Sequence, residues 1–110
     1  RRIFIATGSG IAPFCAAFDE GIRADDLLLF GCARADEDLT RRLKTPIPPV
    51  IRCMTRESSD AAFKGRVTDY LRTTGIDQSA DYYVCGSPAM VADVRRVIRS
   101  GGGRVYCESF

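Results

Sequence analysis

The chain of 110 residues has no histidine, and its five cysteines (Cys15, Cys32, Cys53, Cys85, Cys107) form no C-x-x-C pair. Zinc and iron–sulfur centres need closely spaced thiolates or imidazoles, so no metal site is expected. Charge of one sign is also scarce: the net charge is +2. Apart from Arg1-Arg2, Arg41-Arg42 and Arg95-Arg96 the basic residues are scattered, which argues against a nucleic-acid or membrane-surface partner. No apolar run reaches membrane-spanning length, and no secretory signal is visible. An odd number of widely spaced thiols fits a reducing compartment better than a disulfide framework, so a cytoplasmic location is expected. Four of the cysteines sit in apolar strand-like runs, where a thiol acts as a small hydrophobe; Cys107 in particular reads as structural.

What is present is ordinary for a globular domain: 45% hydrophobic and 27% charged residues. A chain of this length forms one domain, residues 1–110, with a core that needs no metal or disulfide. Strand-like and helix-like segments alternate along it. Strands are predicted over Ile3 to Thr7, Leu27 to Cys32, Val50 to Met54, Tyr82 to Cys85 and Arg104 to Glu108. Helices are predicted from about Ala12 to Glu20, over Asp36 to Leu43, Arg66 to Thr74 and Pro88 to Arg99. In the last of these, Met90, Val91, Val94, Val97 and Ile98 recur at helical spacing. Pro46-Ile47-Pro48-Pro49 is a stiff connector that fits neither a helix nor a central strand.

Five apolar strands alternating with helices point to an α/β fold: a five-stranded parallel sheet with helices on both faces. A Rossmann-like strand order of 3-2-1-4-5 is expected. Open sheets of this kind bind ligands beyond the carboxyl ends of their strands, where the strand order reverses. The segments that follow the five strands are therefore the candidates: Thr7-Gly8-Ser9-Gly10, Ala33-Arg34, Thr55-Arg56, Gly86-Ser87-Pro88 and Glu108-Ser109-Phe110.

The first of these carries the most information. Ile3 to Ala6 runs into Thr7-Gly8-Ser9-Gly10, Ile11 and Ala12 follow, and Pro13 opens a helix. Glycines there permit a tight turn and close backbone approach to a ligand. Proline suits the first helical turn, and the remaining N–H groups with the positive helix end favour a phosphate. The spacing is G-x-G-x-x-P, not the G-x-G-x-x-G of the common dinucleotide fingerprint, because Pro13 stands where that pattern has its third glycine.

Taken together, Thr7-Gly-Ser-Gly-Ile-Ala-Pro13, Gly31-x-x-Arg34, Thr55-Arg56-Glu57, Cys85-Gly86-x-Pro88-x-Met90 and Glu108-x-Phe110 resemble the nicotinamide-nucleotide domain of the ferredoxin–NADP reductase family. The likeness spans essentially the whole chain, with the motifs in family order. It implies that the Thr7–Pro13 turn holds a pyrophosphate. It also implies that Thr55 and Arg56 grip a 2′-phosphate, so that NADP(H) is favoured over NAD(H); Lys64 or Arg66 would supply a second cation. A guanidinium and a hydroxyl suit a dianionic phosphate. The bland alternative for Arg56 is a surface arginine paired with Glu57 or Asp60. Cys85, Gly86, Ser87, Pro88 and Met90 are implied to frame the nicotinamide, with the Cys85 thiol shaping the hydride-transfer site. Glu108 and Phe110 are implied to supply the carboxylate and the aromatic ring that covers the flavin.

In that family a flavin-binding barrel precedes the nucleotide domain, and nothing here corresponds to it. FAD is therefore expected on a domain absent from this chain, as is an iron–sulfur or heme protein as electron acceptor. The isolated chain would bind nucleotide without turning over. Competing readings are a regulatory or scaffolding nucleotide-binding module, an NAD-specific oxygenase reductase component, and a hydrogenase- or sulfite-reductase-associated subunit. A Rossmann-like domain for another nucleotide is disfavoured by Pro13 and the Cys85 motif.

Overall fold

The computed structural model describes residues 1–109, with Glu108 and Ser109 described in their backbone only. Strands β1 (Arg2–Thr7), β2 (Leu27–Cys32), β3 (Val50–Met54), β4 (Phe63–Lys64), β5 (Asp81–Gly86) and β6 (Arg104–Ser109) form one sheet. Its order is β4-β3-β2-β1-β5-β6, and every pairing is parallel. Helices α1 (Ala12–Glu20), α2 (Val67–Thr74) and α3 (Pro88–Ser100) connect the strands. The expected 3-2-1-4-5 order is present within it, as β3-β2-β1-β5-β6. The sheet nevertheless has six strands, not five.

The added strand is β4, two residues long, pairing Phe63 with Cys53 and Lys64 with Met54. Two residues leave no alternation to read, so pattern reasoning passes over it. A second correction concerns residues 36–43, where a helix was expected. Two short 3-10 turns stand there instead, at Ala35–Glu37 and Leu39–Arg42. Asp38 separates them with φ −78° and ψ 95°, and its carboxylate accepts from the Thr40 N–H and hydroxyl. A short acidic side chain that bonds nearby backbone competes with helix formation in this way.

Alternation within the strands sorts the core onto two faces. Ile3, Ile5, Leu29, Cys53, Tyr82 and Val84 face α2 and α3, where they meet Val67, Leu71, Val91, Val94 and Ile98. Phe4, Ala6, Leu28 and Phe30 face the other way, toward Ile11 and Phe18. Phe4 anchors α1, with Phe14 and Phe18 edge-on at 5.2 and 5.0 Å between ring centroids. A strand segment buried on both faces has to be apolar, as residues 3–6 of β1 and the whole of β2 are.

Two buried aspartates fasten the margins of this sheet. Asp26, with its side chain fully buried, receives two bonds from the Arg2 guanidinium and one from the Arg23 N–H, tying β1 to the loop before β2. Asp38 receives Arg52 from β3 and Arg41 from the turn. Burial alone would raise both carboxyls. The Arg2 and Arg23 bonds in one case, and the Thr40 and Arg52 bonds in the other, hold them below the usual carboxylate range. A depressed folded value gives stability that is present above the unfolded value and lost as pH falls through the folded one. Denaturant titrations are therefore expected to give level stability near neutrality and a fall below about pH 4, where the unfolded carboxylates begin to bind protons. Replacing Asp38 by Ala leaves Arg52 half-buried without its carboxylate, with an expected loss of about 3 kcal/mol by the same assay.

Candidate functional site

The carboxyl edge of the sheet is where the helices begin. Thr7 is still extended, and Gly8–Ile11 then make one 3-10 turn that runs directly into α1 with Pro13 in its first turn. Gly8 sits at φ +51° with open space where a side chain would project. That left-handed conformation explains the glycine, since other residues adopt it at a cost of about 1 kcal/mol or more. Gly10 is glycine for a different reason. A Cβ there would lie 2.5 Å from the Cys85 carbonyl oxygen, so the turn is pressed against the end of β5. The contact brings the start of α1 beside the start of α3, where Ser87 accepts from the Met90 N–H at 3.3 Å and Pro88 opens the helix. The start of α2 lies along the same edge, its Arg66 N–H held by Asp69 at 2.9 Å. N-terminal helical amides and their positive dipole ends favour an anion at such an edge.

Two clefts run along this edge and share Thr7 and Ser87. The smaller is lined by Thr7, Gly8, Ser9, Gly10, Gly86, Ser87 and Pro88. It lies between β1 and β5, where the strand order reverses. The larger lies beyond it, toward β2 and β3. Its floor includes Gly31, Cys53, Val67 and Val94, and its polar wall is Thr55, Arg66, Thr68 and Asp93, with Met90 at one side. Thr7 stands between the two clefts, its methyl filling the space a side chain at Gly31 would need and its hydroxyl facing Gly86.

Cations gather at the far end. The Thr55 N–H reaches the Cys32 carbonyl at 3.3 Å and the Arg56 N–H reaches the Ala33 carbonyl at 2.9 Å, so the β2 and β3 loops run together past the sheet. Arg34 and Arg56 are thereby brought onto adjacent loops, both exposed. Among the described residues neither guanidinium is in an ion pair, and Arg66 is in none. The alternative of an Arg56 neutralised by Glu57 or Asp60 is absent. Glu57 turns its carboxylate to the Ala35 N–H instead. Strand β4 pairs Lys64 with Met54, and the Lys64 ammonium donates to the Thr55 carbonyl at 2.9 Å.

With this geometry described, likeness to known proteins becomes informative. Residues 4–96 match the model of the oxidoreductase NAD-binding domain. The chain belongs to that family. No curated protein matches it. Among solved structures, the cytochrome P450 reductase GcoB from Amycolatopsis superposes with a TM-score of 0.73 at 25% identity, over 99% of this chain and 37% of that one. A ferredoxin–NADP+ reductase from Plasmodium falciparum, solved with 2′P-AMP, superposes with a TM-score of 0.58 at 17% identity, over 98% of this chain and 51% of that one. The second likeness is one of fold alone. The chain spans between a third and about half of these two relatives.

In this NAD-binding domain most of the sequence-derived candidates meet on one edge. Thr7, Gly8, Ser9, Gly10, Gly86, Ser87, Pro88, Thr55, Arg66 and Met90 line the two clefts. Ala12 and Pro13 are exposed beside them, whereas Ile11 is buried in the core on the α1 side. Arg34, Arg56 and Lys64 stand outside the clefts, around the far end. Cys85 is wholly buried, and its carbonyl abuts the Gly10 turn. Glu108's carboxylate and Phe110 lie outside the described residues. Of the other thiols, Cys53 is buried and pushed up to about 12 by that burial, with Cys32 nearby adding to it. Cys107 is exposed on the edge strand, not buried as expected of a structural thiol.

Sequence reasoning placed the start of α2 and named Arg66 there, but it missed Thr68 and Asp93, which also line the larger cleft. Gly10→Ala is expected to destabilise the fold by about 1–3 kcal/mol through the clash with the Cys85 carbonyl, with or without nucleotide. Gly8→Ala meets no atom and is expected to lose only about 1 kcal/mol, from its positive φ. Thermal denaturation of both variants checks the contrast.

Proposed function

We propose that the chain binds a nicotinamide dinucleotide along the carboxyl edge of its sheet and presents the nicotinamide to a flavin carried by another domain. The observation that carries this reading is the junction of two helix starts across the β1–β5 reversal, fixed by the Gly10–Cys85 contact. The Thr7–Pro13 turn, with Gly8 open to solvent, fits a pyrophosphate. Gly86, Ser87 and Pro88 leave room for a flat ring next to Cys85, and Met90 closes the side toward the larger cleft. Cys85, buried and held in β5, positions the backbone at that place. Bound together, nicotinamide and flavin supply hydride exchange, while the protein supplies orientation and electrostatics. An acceptor with an iron–sulfur or heme centre then takes electrons from the flavin domain.

The unpaired Arg56, with Thr55, Arg34, Lys64 and Arg66 about it, supports NADP(H) over NAD(H). A guanidinium without a carboxylate partner is available to a 2′-phosphate as a two-pronged donor. One observation favours the unphosphorylated nucleotide instead: Asp93 lines the same cleft as Arg66, and a carboxylate there repels a dianion.

Calorimetric titration with 2′-phospho-AMP and with AMP at fixed low salt separates the two. Preference for the phosphorylated ligand is expected. Arg56→Ala is then expected to weaken 2′-phospho-AMP by about 1.5–3 kcal/mol, the scale of a charged hydrogen bond, with AMP unchanged. Equal affinities for the two ligands, or equal losses in the variant, would instead assign the site to NAD(H). Failure of both to bind would overturn the nucleotide reading.

A further inference from the structure

On the α1 side of the sheet, residues of four adjacent strands stand in register: Leu28 of β2, Phe4 of β1, Tyr83 of β5 and Tyr106 of β6. Their rings form a continuous stack. Phe4 and Tyr83 lie 5.3 Å apart between centroids at 21°, and Tyr83 and Tyr106 lie 5.2 Å apart at 23°. Cover is uneven along this row. Helix α1 closes over Phe4 and leaves Tyr83 half-buried, while Tyr106 is 52% exposed. Helix α3 packs against β5 and β6 from the opposite face, where it meets Val84 and Val105.

Parallel sheets are normally covered on both faces. Exposed aromatic surface bordered by polar residues marks an interaction site. That border exists here: one row nearer the amino end stand Arg2, Asp81 and Arg104, with Asp81 bound to Arg104 at 2.8 Å. In the other direction the face leads through Ala6 and Cys85 to Gly86, at the nucleotide edge.

We propose that the Tyr83–Tyr106 face is the surface against which the flavin-binding domain docks. The inference rests on the functional reading above. A flavin that exchanges hydride with a nicotinamide beside Gly86 must be held within van der Waals contact of it, so its carrier must abut the ends of β5 and β6. The uncovered aromatic face is the apolar surface that adjoins that place. Among the described residues the other exposed large apolar residue, Ile22, follows α1 in the loop leading to the amino end of β2, away from the nucleotide edge. The solved relatives have the additional chain that such a carrier needs, since this domain accounts for 37% and 51% of them.

The test uses the reductase that joins this domain to its flavin-binding domain, beside the domain alone. Tetranitromethane nitration of Tyr106, followed by peptide mass spectrometry, is expected to be strongly slowed in the joined protein. Tyr106→Ser is expected to slow flavin reduction by nicotinamide nucleotide about tenfold, equivalent to roughly 1.4 kcal/mol of docking energy. The affinity of the domain for AMP should stay unchanged, which shows that the variant is folded. Equal nitration in the two forms, or an unaltered reduction rate, overturns the docking surface while normal flavin reduction by the unmodified reductase leaves the function standing. If the unmodified reductase does not reduce its flavin, the functional reading itself falls. If Tyr106 is protected in the domain alone, with the sedimentation mass of a dimer, the face belongs to a second copy and the proposal is overturned.

Discussion

The contact between Gly10 and the Cys85 carbonyl is the constraint on which the site's geometry depends. Strands β1 and β5 are neighbours but their crossovers leave in opposite directions, α1 to one face and α3 to the other. Without a close approach of the two turns the reversal would leave a wide gap. With it, Thr7, Gly8 and Ser87 line one narrow groove, and the starts of two helices meet beside it. No single residue in this arrangement is unusual. A side chain at position 10 would separate the two turns, and every later feature of the edge follows from their proximity.

Charge is arranged differently at the two ends of the sheet. At the amino end Arg1, Arg2 and Arg104 pair with Asp77, Asp26 and Asp81. At the carboxyl end Arg34, Arg56 and Arg66 have no carboxylate partner among the described residues, and Glu57, the acid nearest in sequence, is engaged by the Ala35 backbone. The Arg1–Asp77 and Arg104–Asp81 pairs are exposed and worth little in stability, whereas Asp26 is buried beneath Arg2. The asymmetry matters because cations without partners at a helix-rich edge raise the local potential for an anion. Asp93 is the opposing charge within the larger cleft. On the proposed reading, the choice between a phosphorylated and an unphosphorylated ribose would turn on the balance between that carboxylate and the arginines.

Much of this was legible in the chain. The apolar runs of β1 and β2 identified central strands because burial on both faces leaves no polar period. Pro13 and Pro88 marked two helix starts because their missing N–H costs nothing there. The edge candidates followed from the rule that sites lie after strands. What escaped was set by tertiary contacts. Strand β4 exists only as pairing against β3. The segment around Asp38 is polar and looks helical, yet it is held in turns by Arg52 from a strand fourteen residues later in the sequence. The two roles of Gly8 and Gly10 look identical in sequence, and only φ and the neighbouring carbonyl tell them apart.

The architecture also separates two kinds of specificity. On the proposed reading, the residues that would distinguish nucleotides stand at the ends of β2 and β3 and at the start of α2. The ends of β5 and β6 and the aromatic row lie on the other side of the β1–β5 reversal. The sheet between them is packed on both faces, through Ile3, Ile5, Leu29 and Val84 toward α2 and α3, and through Phe4 and Phe30 toward α1. A close-packed interior of low compressibility gives little way to an exposed substitution that makes no contact with it. Changes at Arg56 should therefore leave the β5–β6 side in place. The proposed residues for nucleotide choice and the proposed surface for a companion domain could then vary independently on one scaffold, joined by the turn that Gly10 presses against Cys85.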